Sequence, residues 1–140
     1  GIVGFGAACR AAADDLEEQT RRLGELRDRL WREIEAKIPS AQANGLGPHR
    51  VSNTLNVSFP GADSDALVAA LDLEGVAVAS GAACTAGSTE PSHVLLAMGL
   101  TPDVSRSAIR ISLGFGTRSA DIARFLSVLP GVVERVRSAA

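Results

Sequence analysis

Cys84 lies in the run Ser80-Gly-Ala-Ala-Cys84-Thr-Ala-Gly87-Ser88, where no residue is bulky and a glycine stands on either side of the thiol. Nucleophilic sulfur chemistry needs a thiolate that solvent and substrate can reach, whereas thiols under apolar cover are inert. This run offers no such cover and has the backbone freedom to move, so a reactive thiol is one expectation. A small apolar residue filling a turn is the other, because free cysteine packs like a small hydrophobe. Composition leaves the two even. Arg110, within Ala108-Ile-Arg110-Ile-Ser-Leu113, carries a planar fork that fits a carboxylate, but an arginine at a strand end also serves as a surface ion-pair partner. Asn53 precedes a strand, where turn-capping explains an asparagine as well as ligand binding does.

Lysine chemistry has one candidate. Of the fourteen basic residues thirteen are Arg, and Lys37 is the single Lys. It stands at the end of a charged helix, where a cation complements the helix dipole, and it reads as a solvated charge. Cys9, among alanines, reads as a packing residue. The two cysteines form no C-x-x-C pair, and His49 and His93 lack zinc-ligand spacing.

The elements that must position these residues follow from periodicity. Leu16, Leu23, Leu26, Leu30, Ile34 and Ile38 recur at three-, four- and seven-residue steps, which predicts one helix over 8–38, ended by Pro39. Asn44-Gly45-Leu-Gly47-Pro48 is expected to be a loop. Thr54, Asn56 and Ser58 alternate with Leu55, Val57 and Phe59, the pattern of a half-buried strand. Asp63 or Ser64 caps a helix over 65–73, and 76–80 is an apolar strand running into the cysteine segment. A helix over 93–98, a strand over 108–113 and a helix over 120–137, distorted at Pro130-Gly131, complete the pattern. The expected fold class is α/β with an α+β-like arrangement, a small sheet of about three strands covered by helices.

Bulk properties narrow the function. The chain has 140 residues, 46% of them hydrophobic and 21% charged, which suits one globular domain. A net charge of −2 without a basic block argues against a nucleic-acid partner. No apolar run has the length of a membrane span, and two unpaired cysteines fit a reducing, cytoplasmic setting. The start, Gly1-Ile-Val-Gly-Phe-Gly6, has no initiating Met and reads as an opening cut within a longer sequence.

Three segments carry a resemblance. Asn53-Thr-Leu-Asn-Val-Ser-Phe-Pro-Gly61, Val78-Ala-Ser-Gly-Ala-Ala-Cys84-Thr-Ala-Gly-Ser-Thr-Glu90-Pro-Ser-His-Val-Leu95 and Ser107-Ala-Ile-Arg110-Ile-Ser-Leu-Gly114, in that order, resemble the carboxy-terminal domain of cysteine desulfurases. These are pyridoxal phosphate enzymes of the class V aminotransferase family, with the fold-type I architecture. The resemblance runs along essentially the whole chain and corresponds to the last third or so of family members. It implies a single carboxy-terminal domain over 1–140, with a long connecting helix over 1–40 and a small α/β unit over 50–140 that carries the cysteine loop at 80–91. That loop is similar to the extended, flexible kind found in the iron–sulfur assembly subgroup.

The resemblance also implies roles. Cys84 matches the nucleophile that takes sulfur from L-cysteine, held as a cofactor adduct, leaving L-alanine and an enzyme persulfide. Arg110 matches the residue that grips the substrate α-carboxylate, and Asn53 falls in a matching motif as a substrate-binding candidate. The implied partners are L-cysteine, an iron–sulfur scaffold or other sulfur acceptor, and a second copy in a homodimer. Ala82 and Ala86 depart from the serines common beside the cysteine, which touches rate or loop order more than reaction type; Ile111 departs from a frequent Phe, and Phe115 stands where an Arg is common. The Schiff-base lysine and most cofactor contacts of the family belong to its larger domain, so the chain alone is expected to bind pyridoxal phosphate poorly and to release no alanine. Exposed Ile2, Val3 and Phe5 predict self-association. The alternatives are a selenocysteine lyase or other class V member, and a non-enzymatic persulfide carrier or docking module.

Overall fold

The computed structural model describes residues 1–81 and 91–139. Leu23, Arg27, Leu30 and Ile34 form one buried stripe of a helix, α1, which runs Ile2–Lys37 for 36 residues. It starts six residues earlier than the apolar stripe predicts. The alanine-rich stretch Ala7–Ala13 is the physical reason, because propagating an existing helix through alanine costs little. At 1.5 Å per residue α1 is about 54 Å long, and only its second half packs. Ile2 is 91% exposed and Leu16 64%. Pro39 lies beyond the last turn, where its ring cannot continue the helix.

After α1 the chain forms β1 (Gln42–Asn44), β2 (Thr54–Ser58), α2 (Ser64–Leu73), β3 (Ala79–Ser80), α3 (His93–Ala97), α4 (Pro102–Arg106), β4 (Ala108–Ser112) and α5 (Ser119–Ser138). Among the described residues the sheet has four strands, ordered β1-β2-β4-β3, each antiparallel to its neighbours. The expected sheet had about three. The added strand is β1, whose asparagine was expected in a loop; it is extended because its backbone pairs with β2, Gln42 opposite Ser58 and Asn44 opposite Asn56. β3 is shorter than the apolar run 76–80, since it has ladder partners only at Arg110 and Ile109.

Strand alternation divides the residues by face. Leu55 and Val57 of β2 and Ile109 and Ile111 of β4 are buried in the core with α1, α2 and α5. Phe59, Leu67, Leu71, Leu129, Val132 and Val133 complete it, each at most 1% exposed. Thr54, Asn56, Arg110 and Ser112 occupy the other face and are exposed or half-buried. α5 stays helical through Pro130, where a distortion was expected. Leu129, Val132 and Val133 are buried around the proline, so packing holds the helix although one backbone donor is missing.

α4 went unforeseen in the sequence, although its start signal is present. Thr101 Oγ1 accepts from Val104 N at 3.5 Å, and Pro102 occupies the first turn, where its missing N–H costs nothing. Arg22 fastens the turn after β4 to α1, donating through Nη1 to Thr117 O at 2.8 Å and through Nη2 to Phe115 O at 2.7 Å. The cap of α2 is as expected: Asp63 Oδ1 accepts from Asp65 N at 3.1 Å and Ala66 N at 3.0 Å. Asp63→Ala is expected to cost about 1 kcal/mol, read as a lower urea midpoint with an unchanged slope. No change in midpoint would mean water serves those amides equally well.

Candidate functional site

Register across the sheet places four residues in one transverse row. Asn44 of β1 faces Asn56 of β2, Asn56 faces Arg110 of β4, and Arg110 faces Ala79 of β3. Directly opposed residues of an antiparallel sheet share a face, with Cβ atoms about 5 Å apart. The row lies on the face away from the core. Asn44 Nδ2 donates to Asn56 Oδ1 at 2.7 Å and to Ser58 Oγ at 2.8 Å. Among the described residues no acceptor is hydrogen-bonded to the Arg110 guanidinium.

Asn44, Asn56 and Arg110 form one wall of a cavity of about 370 Å³. Arg50 and Thr54 add further polar groups, and Val94, Leu95 and Met98 from the α3 region supply an apolar wall. That volume suits a small metabolite, with apolar lining for bulk and a few polar groups for orientation.

Arg50 is the second cation of the cavity, and its position is set from outside. Its Nη2 donates to Asp28 Oδ1 at 2.9 Å. Asp28 also accepts from Arg27 Nε at 2.9 Å, and Arg27 Nη1 donates to Val51 O at 2.8 Å. One carboxylate of α1 thus ties a buried arginine and the 50–51 backbone together. Two guanidiniums on one small cavity make it a place for an anion, and a planar fork matches a carboxylate.

Cys84 lies outside the described residues, and the nearest described residues on either side of it are Gly81 and Pro91. Gly81 and Ser92, one on each side of the segment that carries Cys84, both line the Arg110 cavity. Ser80 Oγ donates to Asp65 Oδ1 at 2.7 Å, which anchors the end of β3 to α2. Gly81 takes φ 55°, a left-handed conformation that glycine adopts without a Cβ penalty.

The other candidates are placed elsewhere. Asn53 is exposed and does not line the cavity; its carbonyl accepts from Leu113 N at 2.8 Å, and its Oδ1 accepts from Thr54 Oγ1 at 3.2 Å. Asn56, three residues later, is the asparagine of that segment that lines it, together with Asn44 of β1. The signal for Asn56 was in the sequence, as the middle polar residue of the Thr54-Asn56-Ser58 alternation. Asn44 and Arg50 carried none, because a loop asparagine and a surface arginine look alike in any sequence. Lys37 is exposed at the last turn of α1 and borders a separate depression with Pro39, Ser40 and Arg137. Cys9 is exposed, not packed as expected, because among the described residues nothing packs against the first half of α1. Among the described residues no cluster of three or more His, Cys, Asp and Glu is placed to hold a metal, and no helix is long and apolar enough to cross a membrane.

A family model described as aminotransferase class-V matches residues 1–125. The chain is similar to the IscS-like cysteine desulfurase of Mycobacterium tuberculosis, 43% identical over 139 residues, covering 99% of this chain and 35% of that protein. It is also similar to the cysteine desulfurase of Trichormus azollae, 41% identical over 138 residues and covering 34% of that protein. Among solved structures, a NifS-like protein from Rickettsia africae superposes with a TM-score of 0.82 at 28% identity, over 95% of this chain and 34% of that one. The chain therefore spans about a third of the length of the curated relatives it matches.

Proposed function

Because the chain belongs to the class-V aminotransferase family, we propose that it is the carboxy-terminal, sulfur-accepting part of a cysteine desulfurase. The observation that carries this is the meeting of two features at one cavity. Arg110 lines the wall, and so do Gly81 and Ser92, which flank in sequence the segment bearing Cys84. Arg110 receives the α-carboxylate of L-cysteine in its two-donor fork, which fixes where the substrate sulfur lies. Cys84 takes that sulfur. In net terms one thiol and one L-cysteine become one persulfide and one L-alanine, with no external oxidant or reductant. The persulfide then leaves on the Cys84 segment for an acceptor thiol, with an iron–sulfur scaffold protein as the proposed recipient. A homodimer and a cytoplasmic setting belong to the same proposal for the whole protein.

Enzymes of this family use pyridoxal phosphate, whose resident state requires a lysine amine. The residues of this chain do not fit that requirement. Lys37 is its single lysine, lies at the end of α1, and does not border the Arg110 cavity. The 1–40 helix and 50–140 unit are accordingly proposed as the part of the protein that holds substrate and carries sulfur, and the cofactor's lysine as lying beyond these 140 residues.

The test is transfer of sulfur to the purified chain. An alkyl persulfide donor of formula RSSH is added, and intact and peptide masses are measured. A thiolate attacking the donor's terminal sulfur releases RSH and gains one sulfur. The expected result is a 32 Da gain at Cys84 that exceeds any gain at exposed Cys9 about tenfold or more, because a sulfur-carrying thiol must be the more reactive of the two. Equal labelling of the two cysteines would overturn the assignment of Cys84 as the sulfur carrier.

A further inference from the structure

The row Asn44–Asn56–Arg110 contains a polar group that the carboxylate grip of Arg110 does not yet use. An asparagine side chain has one acceptor and two donors. The Oδ1 of Asn56 is taken by Asn44 Nδ2 at 2.7 Å, and Asn44 is itself held by its second bond to Ser58 Oγ at 2.8 Å. Ser58 is fully buried, so the fixed end of this relay is in the protein interior. With its oxygen committed towards β1, Asn56 keeps its amide hydrogens for the cavity side. The neighbour there is Arg110, directly opposite on β4. Arginine is a donor throughout and accepts nothing. Two sets of donors therefore face one small space, and among the described residues no acceptor is bonded to either. An anion between them satisfies both.

We propose that Asn56 is a substrate-binding residue, its Nδ2 donating a third hydrogen bond to the α-carboxylate held by Arg110, and that Asn44 is the positioning residue that sets its amide. This rests on the reading of Arg110 as the carboxylate site. Arg110 supplies charge and two parallel bonds; Asn56 supplies a neutral donor whose direction is set before the ligand arrives. Preorganisation of that kind raises affinity because the ordering is complete in the free protein. Amino acids with a free α-carboxylate are the ligand class, and the carboxamide of the same amino acid is the class refused.

The experiment is a nuclear magnetic resonance titration of the isotope-labelled chain with L-alanine, which has the carboxylate without a reactive thiol, and in parallel with L-alaninamide. L-alanine is expected to move the Asn56 side-chain amide and Arg110 guanidinium signals, and L-alaninamide neither. Asn56→Ala is expected to weaken L-alanine binding about tenfold, since one hydrogen bond to a charged group contributes about 1.5 kcal/mol. Asn44→Ala is expected to weaken it severalfold with the Asn56 donor still present. Asn56→Thr keeps a strand-favouring side chain and, should the alanine variant fail to fold, is expected to show the same carboxylate-selective loss. If Arg110→Ala loses L-alanine while Asn56→Ala binds as before, the role of Asn56 is overturned and that of Arg110 stands. If neither substitution matters, or the wild-type signals do not move, the carboxylate site itself fails. Equal effects on acid and amide would mean that Asn56 only shapes the strand.

Discussion

Replacing Arg110 with alanine is expected to lower the affinity of the chain for L-cysteine about 100-fold, with little change in stability. Two hydrogen bonds between a guanidinium and a carboxylate contribute about 1.5 kcal/mol each at a partly solvated site, and 1.4 kcal/mol is a factor of ten. The stability expectation follows from position. Arg110 lies on the sheet face away from the core, half-buried, with its neighbours Ile109 and Ile111 directed into the interior. Its removal therefore opens no cavity among packed side chains. Arg110→Lys tests the geometry separately. Lysine keeps the charge but has no planar fork, so it is expected to recover less than half of the lost binding energy. Calorimetric or spectroscopic titration of the three proteins decides the matter. Binding that survives the alanine substitution would remove Arg110 from the substrate site, and full recovery by lysine would reduce its part to charge alone.

The largest loss of stability is expected at Phe59. It follows β2, is fully buried, and its amide donates to Ser107 O at 2.9 Å, holding the chain between β2 and β4. Phe59→Ala removes the ring and leaves a void that the surrounding helices fill only in part, a cost of about 3–5 kcal/mol. Small domains have about 5–15 kcal/mol in total, so the variant is expected to unfold at much lower urea with the slope unchanged. A loss under about 1 kcal/mol would mean that α2 and α5 close over the gap, contrary to dense packing there. Because Phe59 lies on the core side, a variant that remains folded is expected to bind L-cysteine as before. The pair of substitutions thus separates the two faces of one sheet, one sustaining the fold and the other proposed to hold the ligand.

Periodic elements were readable in advance because their cause is local. The three- and four-residue spacing from Leu23 to Ile34, the polar–apolar alternation from Thr54 to Phe59, and the Asp63 cap each state their structure within a few residues. The family was legible for a related reason. Three motifs in fixed order are improbable by accident, whereas the strand around Arg110 and the strand and helix that flank the Cys84 segment follow from local periodicity. β1 was not legible, because Gln42-Ala43-Asn44 has no strand signal of its own and becomes extended only by pairing with β2. Nor was the exposure of Cys9, which depends on the absence of packing against the first half of α1.

The choice between Asn53 and Asn56 marks the boundary most sharply. Both lie in one motif, three residues apart, and the motif cannot say which side chain reaches the cavity. Register can, because opposition across β1, β2 and β4 joins Asn44, Asn56 and Arg110 from positions 12 and 54 residues apart into one row. Residue types and their order were enough for the family, the helices other than α4, the central strands, and a cysteine and an arginine as candidates in one chain. The cavity wall, its two asparagines and the Asp28 tether to Arg50 required the folded sheet. Local preferences act over a few residues, whereas a binding site is made by contacts between strands, whose partners are chosen by burial of the opposite face.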